Sequence, residues 1–492
     1  MRYNSTRNKN LSVSAAEAIV RGISPDGGLY IPEEFPKLMD LKDLMNMSYR
    51  ELASYVLGLY FEELGLGKLK ESAGAAYDGK FPTEVTPLKT IGDMTFIELY
   101  HGRTLAFKDM ALSVLPHLLK ASLEKLGNEN RILILVATSG DTGKAALEGF
   151  NEVDGIDVMV YYPKDGVSEV QRLQMVTHAG SNTHVIAIDG NFDDAQSGVK
   201  DIFTDEDFKN KIMELGFNFS SANSINIGRL IPQIVYYINA YLRLVEKGII
   251  NNDSKINVAV PTGNFGNVLA AYYAKQMGLP INKLIVASND NKVLTDFFET
   301  GEYDKERELL LTSSPSMDIL ISSNLERLLY HITDGDYKKV SEAMKKLNQN
   351  KKYLWDEFGE GEFFAAFASE EDVSNSIREV YDGDYTIDPH TAVAYFAARR
   401  YIETTGDKTH MLVASTASPF KFPAKVLSSI GEDVPDLEFD SLRLLSEKMK
   451  VEIPDSLKEL PYLEIKHKDV YKPDEMRQSI LEIIQEKKYV KD

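Results

Sequence analysis

Seven short runs of apolar residues recur along this chain, and they constrain its fold more than any other feature. They lie at 96–99, 132–137, 158–162, 184–188, 256–260, 284–287 and 411–414. Apolar residues within the runs are largely continuous, and most runs are followed by a polar or glycine-containing loop and a helical pattern. Strands in which apolar and polar residues do not alternate, and which are separated by helices, are typical of a parallel sheet covered on both faces. The sequence therefore predicts an α/β fold.

The length of the chain predicts several compact units. A chain of 492 residues is too long for one ordinary hydrophobic core. The rhythm of apolar runs starts near residue 86, and the last part of the chain is charged and mostly helical in pattern. We predict an N-terminal domain at 1–85, two α/β domains at 86–245 and 246–430, and a helical C-terminal segment at 431–492.

Composition excludes several classes of function. The net charge of −20, from 75 acidic and 55 basic residues, argues against nucleic acid and anionic membranes as partners. The chain has no cysteine, which excludes disulfides, thiolate catalysis and cysteine-ligated metals, and we predict no metal site. The N-terminal segment lacks the apolar core of a secretory signal, and no run approaches the roughly 20 apolar residues of a membrane span. We predict a cytoplasmic protein, and no heptad pattern indicates an oligomeric state.

One lysine, Lys108, lies where an apolar run ends at a turn and a helical pattern over 109–126 begins. The flanking residues Ala106 and Phe107 can remove water from its side chain, which lowers the pKa of an amine. A neutral amine can form an imine with a carbonyl group. The segment 96–109 therefore suggests an enzyme built around an aldehyde cofactor. The alternative is a lysine that only extends its charged end to solvent.

Two glycine-containing loops follow predicted strands, at the strand ends where open parallel sheets bind ligands. The loop 138–143, TSGDTG, precedes a helix and suits a carboxylate or phosphate, although simple helix capping is an equal alternative. The loop 261–267, PTGNFGN, lets the backbone fold around an anion at a helix N-terminus. It matches neither the Walker loop nor the GxGxxG pattern, so it favours a compact phosphate site. A tight turn is the alternative.

Two further segments carry polar groups. In the loop 415–422, STASPFKF, the Thr416 hydroxyl could bond a ring nitrogen without charging it, and Lys421 is a candidate contact for a substrate phosphate. The segment 220–229 is dense in donors, and Arg229 can contact a carboxylate or phosphate through two bonds. An ordinary turn and a capped helix start are the alternatives. His101, His117 and His390 could act in catalysis, but packing or hydrogen bonding is the favoured interpretation for each.

Taken in order, these motifs resemble those of one family. The chain contains HGRTLAFKD, ATSGDTGKAA, SSANSINIGR, PTGNFGN and STASPFKF, preceded by STRN and SPDGGLYIP. This combination resembles the threonine synthases, a family of fold-type II pyridoxal-phosphate enzymes, over nearly the whole chain. The resemblance implies two parallel-sheet α/β domains of the tryptophan synthase β-like type. It also implies pyridoxal 5'-phosphate as cofactor and conversion of O-phospho-L-homoserine and water to L-threonine and phosphate, the last step of threonine biosynthesis.

The resemblance implies a role for each matching residue. Lys108 corresponds to the Schiff-base lysine, which also carries protons, and Thr416 to the hydroxyl partner of the pyridine nitrogen. The implied cofactor-phosphate residues are Gly263, Asn264, Phe265, Gly266 and Asn267. The implied substrate-binding residues are Ser139, Asp141, Thr142, Asn223, Ser224, Asn226, Arg229 and Lys421. Some members have the sequence Thr-Ala-His-Pro where this chain has Thr416, Ala417, Ser418 and Pro419. A role for that histidine therefore does not transfer to Ser418.

Two alternatives to a threonine synthase remain open at the level of sequence. A phospho-lyase would use the same lysine and loops but release a 2-oxo acid and ammonia. A non-catalytic phosphometabolite-binding protein would keep the fold without the chemistry. The identity of the product distinguishes a phospho-lyase from a threonine synthase. Uptake of the aldehyde cofactor distinguishes a non-catalytic binding protein from either enzyme.

Overall fold

The computed structural model describes residues 1–138, 140–355, 361–382 and 385–489. The strands are β1 (Arg2–Ser5), β2 (Asn8–Ser14), β3 (Tyr30–Pro32), β4 (Leu88–Ile91), β5 (Met94–Glu98), β6 (Arg131–Ala137), β7 (Ile156–Pro163), β8 (Thr183–Ile188), β9 (Phe217–Ser220), β10 (Ile256–Pro261), β11 (Ile281–Ser288), β12 (Glu302–Asp304), β13 (Lys352–Leu354), β14 (Phe363–Phe367), β15 (His410–Ser415) and β16 (Val470–Tyr471). Each apolar run of the sequence lies on one of these strands.

Helices connect most of the strands. They are α1 (Ala15–Arg21), α2 (Leu41–Leu44), α3 (Tyr49–Phe61), α4 (Leu66–Tyr77), α5 (Lys108–Leu112), α6 (Leu115–Leu126), α7 (Asp141–Phe150), α8 (Glu169–Val176), α9 (Phe192–Thr204), α10 (Glu206–Glu214), α11 (Ile227–Glu246), α12 (Gly266–Met277), α13 (Val293–Thr300), α14 (Leu325–Ile332), α15 (Tyr337–Asn350), α16 (Glu370–Asp382), α17 (Pro389–Thr405), α18 (Pro423–Ser429), α19 (Glu438–Met449), α20 (Asp455–Lys458) and α21 (Met476–Tyr489). Within the described ranges, none has the length and apolar composition needed to cross a membrane.

Two largely parallel sheets form the body of the protein, which confirms the predicted α/β class. One sheet has the order β16-β8-β7-β6-β9 and is parallel throughout. The other has the order β14-β11-β10-β15-β5-β4, in which only the β4–β5 pair is antiparallel. The central strands are buried on both faces. The N-terminal β1, β2 and β3 form a separate antiparallel sheet.

The two sheets do not follow the order of the chain. Strand β5 pairs with β15, with Phe96 opposite Val413, so it belongs to the sheet that otherwise uses residues after 256. The α/β domain predicted at 86–245 groups this strand with β6, β7, β8 and β9. The C-terminal segment is mostly helical, but it also supplies β16 to the edge of β8. The domain boundaries predicted near residues 85, 245 and 430 remain predictions.

The helix predicted over 109–126 is divided into α5 and α6. The break falls at Ser113 and Val114. Pro116 explains it, because a proline has no N–H with which to continue the ladder to Leu112 and its ring clashes with the preceding turn. The short α5 leaves Lys108 at its first position.

Helix α11 runs through the centre of the molecule. Its residues are buried along nearly the whole length, and it packs against α3, α5 and α12. It therefore connects the N-terminal region, the lysine-bearing α5 and the helix that follows β10. Arg229 lies in its first turn.

Candidate active site

The loop that carries Lys108 is bonded to the loop after β15. The Phe107 N–H donates to the Thr416 carbonyl at 2.9 Å, and the Ser418 N–H donates to the Leu105 carbonyl at 3.0 Å. Leu105 has a φ of 59°, the left-handed conformation that makes this turn tight. The two strand ends therefore fix the backbone of Lys108 and bring buried Thr416 beside it.

Asp109 closes the turn that precedes Lys108. Its carboxylate accepts the Thr104 N–H at 2.8 Å and also the Thr104 hydroxyl. A Cβ at Gly102 would lie 2.4 Å from the same carboxylate, so only glycine leaves room for this closure. Burial raises the pKa of Asp109 to about 6, although the bonds from Thr104 favour its ionised form. The sequence motif at 101–109 thus shapes the loop as well as carrying the lysine.

The amine of Lys108 is buried among polar groups. Its Nζ lies 3.1 Å from the Ser316 Oγ and 3.7 Å from Asp141 Oδ2. Burial lowers the pKa of Lys108 to about 8; Asp141 opposes this shift, whereas Lys421 and Arg229 add to it. Near neutral pH the neutral amine is therefore a minority form, but one far more populated than in an exposed lysine, which favours a role as nucleophile or base.

Asp141 lies at the centre of three lysines. Its Oδ1 is 2.6 Å from Lys421 Nζ and 3.6 Å from Lys144 Nζ, and its other oxygen faces Lys108. Burial opposes ionisation, but Lys421, Lys108 and Lys144 together hold the pKa of Asp141 well below its usual range. Burial, followed by Lys421, lowers the pKa of Lys144 to about 7. One carboxylate thus balances several cations, which leaves the site suited to an anionic ligand.

The loop after β10 presents backbone to the site. Phe265 has a φ of 62°, and α12 begins directly after it at Gly266, with no side chain of the described residues capping its start. The Phe265 ring itself is buried and stacks on Phe298. A Cβ at Gly263 would lie 2.6 Å from the Ser316 carbonyl oxygen. Glycine at 263 therefore lets this loop approach the residue that contacts Lys108.

The two asparagines of this loop have different surroundings. The Asn264 carbonyl accepts from the backbone and the side-chain amide of Asn324, at 3.1 and 2.9 Å. Asn267 Oδ1 accepts the hydroxyls of Tyr236 and Tyr237, at 2.6 and 2.5 Å. Asn267 Nδ2 is buried and has no partner within the described part of the chain. A buried amide donor without a partner is costly, which indicates a ligand acceptor at this position.

The segment 223–229 divides into structural and site-facing residues. Asn226 caps α11 by accepting the Gly228 N–H at 2.9 Å, and its amide donates to the Ile19 carbonyl at 2.9 Å. Asn226 therefore has a capping role in this structure, with both ends of its side chain engaged, and its contact with substrate remains a prediction. The Ser224 carbonyl accepts from Asn324, and Asn223 is exposed.

Arg229 is a buried cation with donors to spare. One of its nitrogens donates to the Ala222 carbonyl at 2.8 Å, whereas Nε is buried without a partner among the described residues. Burial lowers the pKa of Arg229 to about 10, so its guanidinium stays charged near neutral pH. It is one of the cations that lower the pKa of Lys108.

The loop after β6 is shaped by one hydroxyl. The Thr138 Oγ1 accepts the N–H groups of Gly140 and Gly143, at 2.9 and 3.0 Å. This turn aims Asp141 at the lysines and places Thr142 in the first turn of α7. Ser139, predicted to bind substrate, lies outside the described residues.

The sequence did not point to two contributors to the site, Ser316 and Lys144. Ser316 follows a long irregular loop, and no periodic pattern marks it. Lys144 lies three residues after Asp141, the spacing that places both on one face of α7, and this was a usable signal. For His390 the favoured interpretation is packing or hydrogen bonding, and the structure shows hydrogen bonds: its Nε2 accepts the Ser316 N–H at 3.3 Å, and its Nδ1 lies 2.8 Å from Asp388.

These groups fit a phosphorylated aldehyde. Lys108 supplies an amine of lowered pKa. The start of α12 has no side-chain cap from the described residues, and Asn267 Nδ2 is a buried donor without a partner among those residues. The family model "Pyridoxal-phosphate dependent enzyme" matches residues 79–416, which defines the chain as an enzyme of this class with pyridoxal 5'-phosphate as its cofactor. The models "Threonine synthase N terminus" and "Threonine synthase, C-terminal" match residues 2–77 and 391–480. The chain belongs to the threonine synthase family.

Individual relatives agree with this assignment. Threonine synthase of Pseudomonas aeruginosa is 39% identical over 436 residues, covering 87% of this chain and 90% of that protein. The crystal structure of pyridoxal-phosphate-bound threonine synthase from Brucella melitensis is 35% identical, with a TM-score of 0.86 and 99% of both chains covered. Threonine synthase-like 1 of Homo sapiens is 40% identical over 436 residues, which cover 84% of this chain. This chain spans only 58% of the length of that relative.

Proposed function

We propose that the protein converts O-phospho-L-homoserine and water to L-threonine and phosphate. The observation that carries this proposal is the environment of Lys108. Its buried amine, with a pKa of about 8, lies within 3.7 Å of Asp141, which also binds Lys421 and faces Lys144. An amine that is readily neutral beside a surplus of cations suits proton transfer on a strongly anionic substrate.

The cofactor has a defined set of candidate ligands in this chain. When bound, pyridoxal 5'-phosphate supplies an aldehyde that reacts with amines and a conjugated ring that withdraws electrons. Lys108 would hold the aldehyde. The residues Gly263, Asn264, Phe265, Gly266 and Asn267 would hold the phosphate, through backbone N–H groups at the start of α12 and through Asn267 Nδ2. The Thr416 hydroxyl would bond the ring nitrogen and leave it uncharged.

The substrate carries a carboxylate and a phosphate, and this chain offers cations for both. Lys421 and Arg229 are the proposed contacts, and Lys144 adds a third positive group. Asp141 keeps these cations in place and limits their repulsion. Ser139, Thr142, Asn223 and Ser224 complete the proposed substrate-binding set, and Asn226 holds the segment in place by capping α11.

Proton transfer is assigned to Lys108. As a neutral amine it takes one proton from the substrate α-carbon and then one from the β-carbon, so that phosphate can leave the γ-carbon. The γ-carbon then accepts a proton, water adds its hydroxyl group at the β-carbon, and a proton returns to the α-carbon, which gives threonine. The turn closed by Asp109 and the backbone bond to Thr416 keep Lys108 in one position through these steps.

The proposal is tested by the identity of the product. The purified protein, loaded with pyridoxal phosphate and given O-phospho-L-homoserine, is expected to yield threonine, and Lys108→Ala is expected to yield none. A product dominated by 2-oxobutyrate and ammonia would assign a phospho-lyase instead. Failure of the wild type to take up the cofactor would contradict both enzymes and leave a binding protein. A cytoplasmic location and the absence of nucleic-acid and membrane partners remain predictions.

A further inference from the structure

Ser316 lies in the loop between β12 and α14, within a short 3₁₀ turn at Pro315–Met317. No sequence motif pointed to it, yet its hydroxyl is in contact with the amine of Lys108. We propose that Ser316 is a further catalytic residue, whose hydroxyl orients the free Lys108 amine for proton transfer. This inference rests on the proposed function of Lys108 as the proton carrier.

The hydroxyl of Ser316 has a fixed direction. It accepts a hydrogen bond from Lys108 Nζ at 3.1 Å and donates one to Asp141 Oδ2 at 3.3 Å. Its hydrogen therefore points to the carboxylate and its lone pair to the lysine. A neutral amine has two N–H groups and one lone pair. Once an N–H is directed to Ser316, the nitrogen lone pair must point away from it, toward the remainder of the site.

Charge and direction are set by different neighbours of Lys108. Asp141, Lys421 and Arg229 are the charged groups that act on its amine. Ser316 is neutral, and it is nearer to Nζ than Asp141 is, at 3.1 against 3.7 Å. The charged groups therefore control how often the amine is neutral, whereas Ser316 controls where its lone pair points.

A buried aspartate–histidine pair holds Ser316. Its backbone N–H donates to His390 Nε2 at 3.3 Å, and His390 Nδ1 lies 2.8 Å from Asp388 Oδ2. Because Nε2 accepts this bond, the ring proton must be on Nδ1, where the carboxylate of Asp388 accepts it. The Ser316 carbonyl occupies the space that a side chain at Gly263 would need. Asp388 and His390 are thus positioning residues that fix the serine between Lys108 and the loop 263–267.

The primary test compares Ser316→Ala with Ser316→Thr, which retains a hydroxyl. Ser313→Ala is the matched control, since Ser313 lies in the same loop but bonds Glu370. For Ser316→Ala we expect uptake of pyridoxal phosphate to persist, kcat to fall at least about tenfold and KM to change little, because orientation acts on proton transfer rather than on binding. Ser316→Thr should recover part of the loss, and Ser313→Ala should resemble the wild type. A wild-type kcat in Ser316→Ala would overturn the inference, as would equal losses in both variants at 316 together with loss of the cofactor.

The positioning pair is tested through His390→Leu and His390→Gln. The glutamine amide can still accept the Ser316 N–H, so we expect it to retain more activity than leucine. Ser316→Ala combined with His390→Leu should be no slower than Ser316→Ala alone, because both changes act through one hydroxyl. Fully additive losses would contradict this coupling.

Exchange of the substrate α-hydrogen in D₂O separates failure of this inference from failure of the proposed function. Exchange into the amino acid, followed by NMR, depends on Lys108 and not on the final product. If the wild type exchanges this hydrogen but makes no threonine, the proposed function is wrong. Slower exchange in Ser316→Ala would still support the role of Ser316, and unchanged exchange would overturn it.

Discussion

Lys421 Nζ and Asp141 Oδ1 lie 2.6 Å apart, although the two residues are 280 positions apart in the chain. Asp141 begins α7, after a strand of the five-stranded sheet, and Lys421 follows β15 of the six-stranded sheet. Their ion pair therefore joins the two sheets at the place where Lys108 projects. The charge balance of the site and the contact between the sheets depend on the same carboxylate.

Replacing Asp141 with Asn should affect stability and chemistry together. Three lysines would then face one another without their carboxylate, and loss of one partner of a buried ion pair costs about 3–5 kcal/mol. The pKa of Lys108 should also fall further, since Asp141 acts to raise it. Urea unfolding measures the first effect, and the pH dependence of cofactor uptake measures the second.

The control for this variant is Asp154→Asn. Asp154 is highly exposed and lies 4.0 Å from Lys120, so its ion pair should contribute little. Equal stability of Asp141→Asn and Asp154→Asn would contradict the assigned role of Asp141 as the balancing charge of the site.

Uptake of the cofactor by the cofactor-free protein should depend on pH through Lys108. Reaction with an aldehyde needs the neutral amine, and burial lowers the pKa of Lys108 to about 8. The neutral fraction grows as pH rises, so the rate of uptake should increase through about pH 8 and then level off. Stopped-flow absorbance of the bound cofactor would measure it. A rate that is flat through this range, or that still rises steeply near the pKa of an exposed lysine, would contradict the assignment.

Asn267→Asp should weaken cofactor binding while leaving the fold intact. The aspartate keeps an acceptor for the hydroxyls of Tyr236 and Tyr237. It loses the Nδ2 donor, which has no partner in the described part of the chain, and it adds a negative charge. We expect the Kd for pyridoxal phosphate to rise at least about tenfold, the effect of losing one charge-assisted hydrogen bond. Asn348→Asp, on the exposed face of α15, is the control for added charge. An unchanged Kd in Asn267→Asp would place the phosphate elsewhere.

Gly263→Ala tests the close approach of two loops. The new Cβ would lie 2.6 Å from the Ser316 carbonyl oxygen, so the loop around Ser316 must shift, at a cost of about 1–3 kcal/mol. Gly67→Ala is the matched control, because Gly67 is helical and its Cβ would have open space. The free energy of unfolding, measured in urea, and kcat should both fall for Gly263→Ala, and neither should fall for Gly67→Ala. Equal stability and equal kcat of the two variants would show that position 263 does not require glycine.

The elements found from sequence are those that carry a local signal. The apolar runs coincide with strands, since a strand buried on both faces is continuously apolar, and the loops at 138–143 and 261–267 follow the strands as expected. The partner of β5 could not be found in this way, because the pairing of parallel strands is non-local. The division of the 109–126 helix was readable from Pro116, but it was not predicted.

In the candidate site, too, only the residues that lie in a local sequence motif could be predicted. Lys108, Asp141 and Lys421 lie in recognisable segments, and the structure brings them together. Ser316 carries no sequence signal, since its role depends on a loop folded back over the site and on a histidine 74 positions later. The position of Asn226, directly before a helix, is easily recognised in the sequence. An asparagine at such a position can cap the helix or contact a ligand, so the sequence does not distinguish the two roles.

The most direct test of the central claim is to identify the lysine that holds the cofactor. Borohydride reduction of the loaded wild-type enzyme, followed by peptide mass spectrometry, fixes the cofactor to the amine it occupies. The structure offers a real competitor, since Lys144 is also buried and its pKa is lowered to about 7. We predict the added mass of the cofactor on Lys108. Modification of Lys144 or any other lysine in place of Lys108 would contradict it.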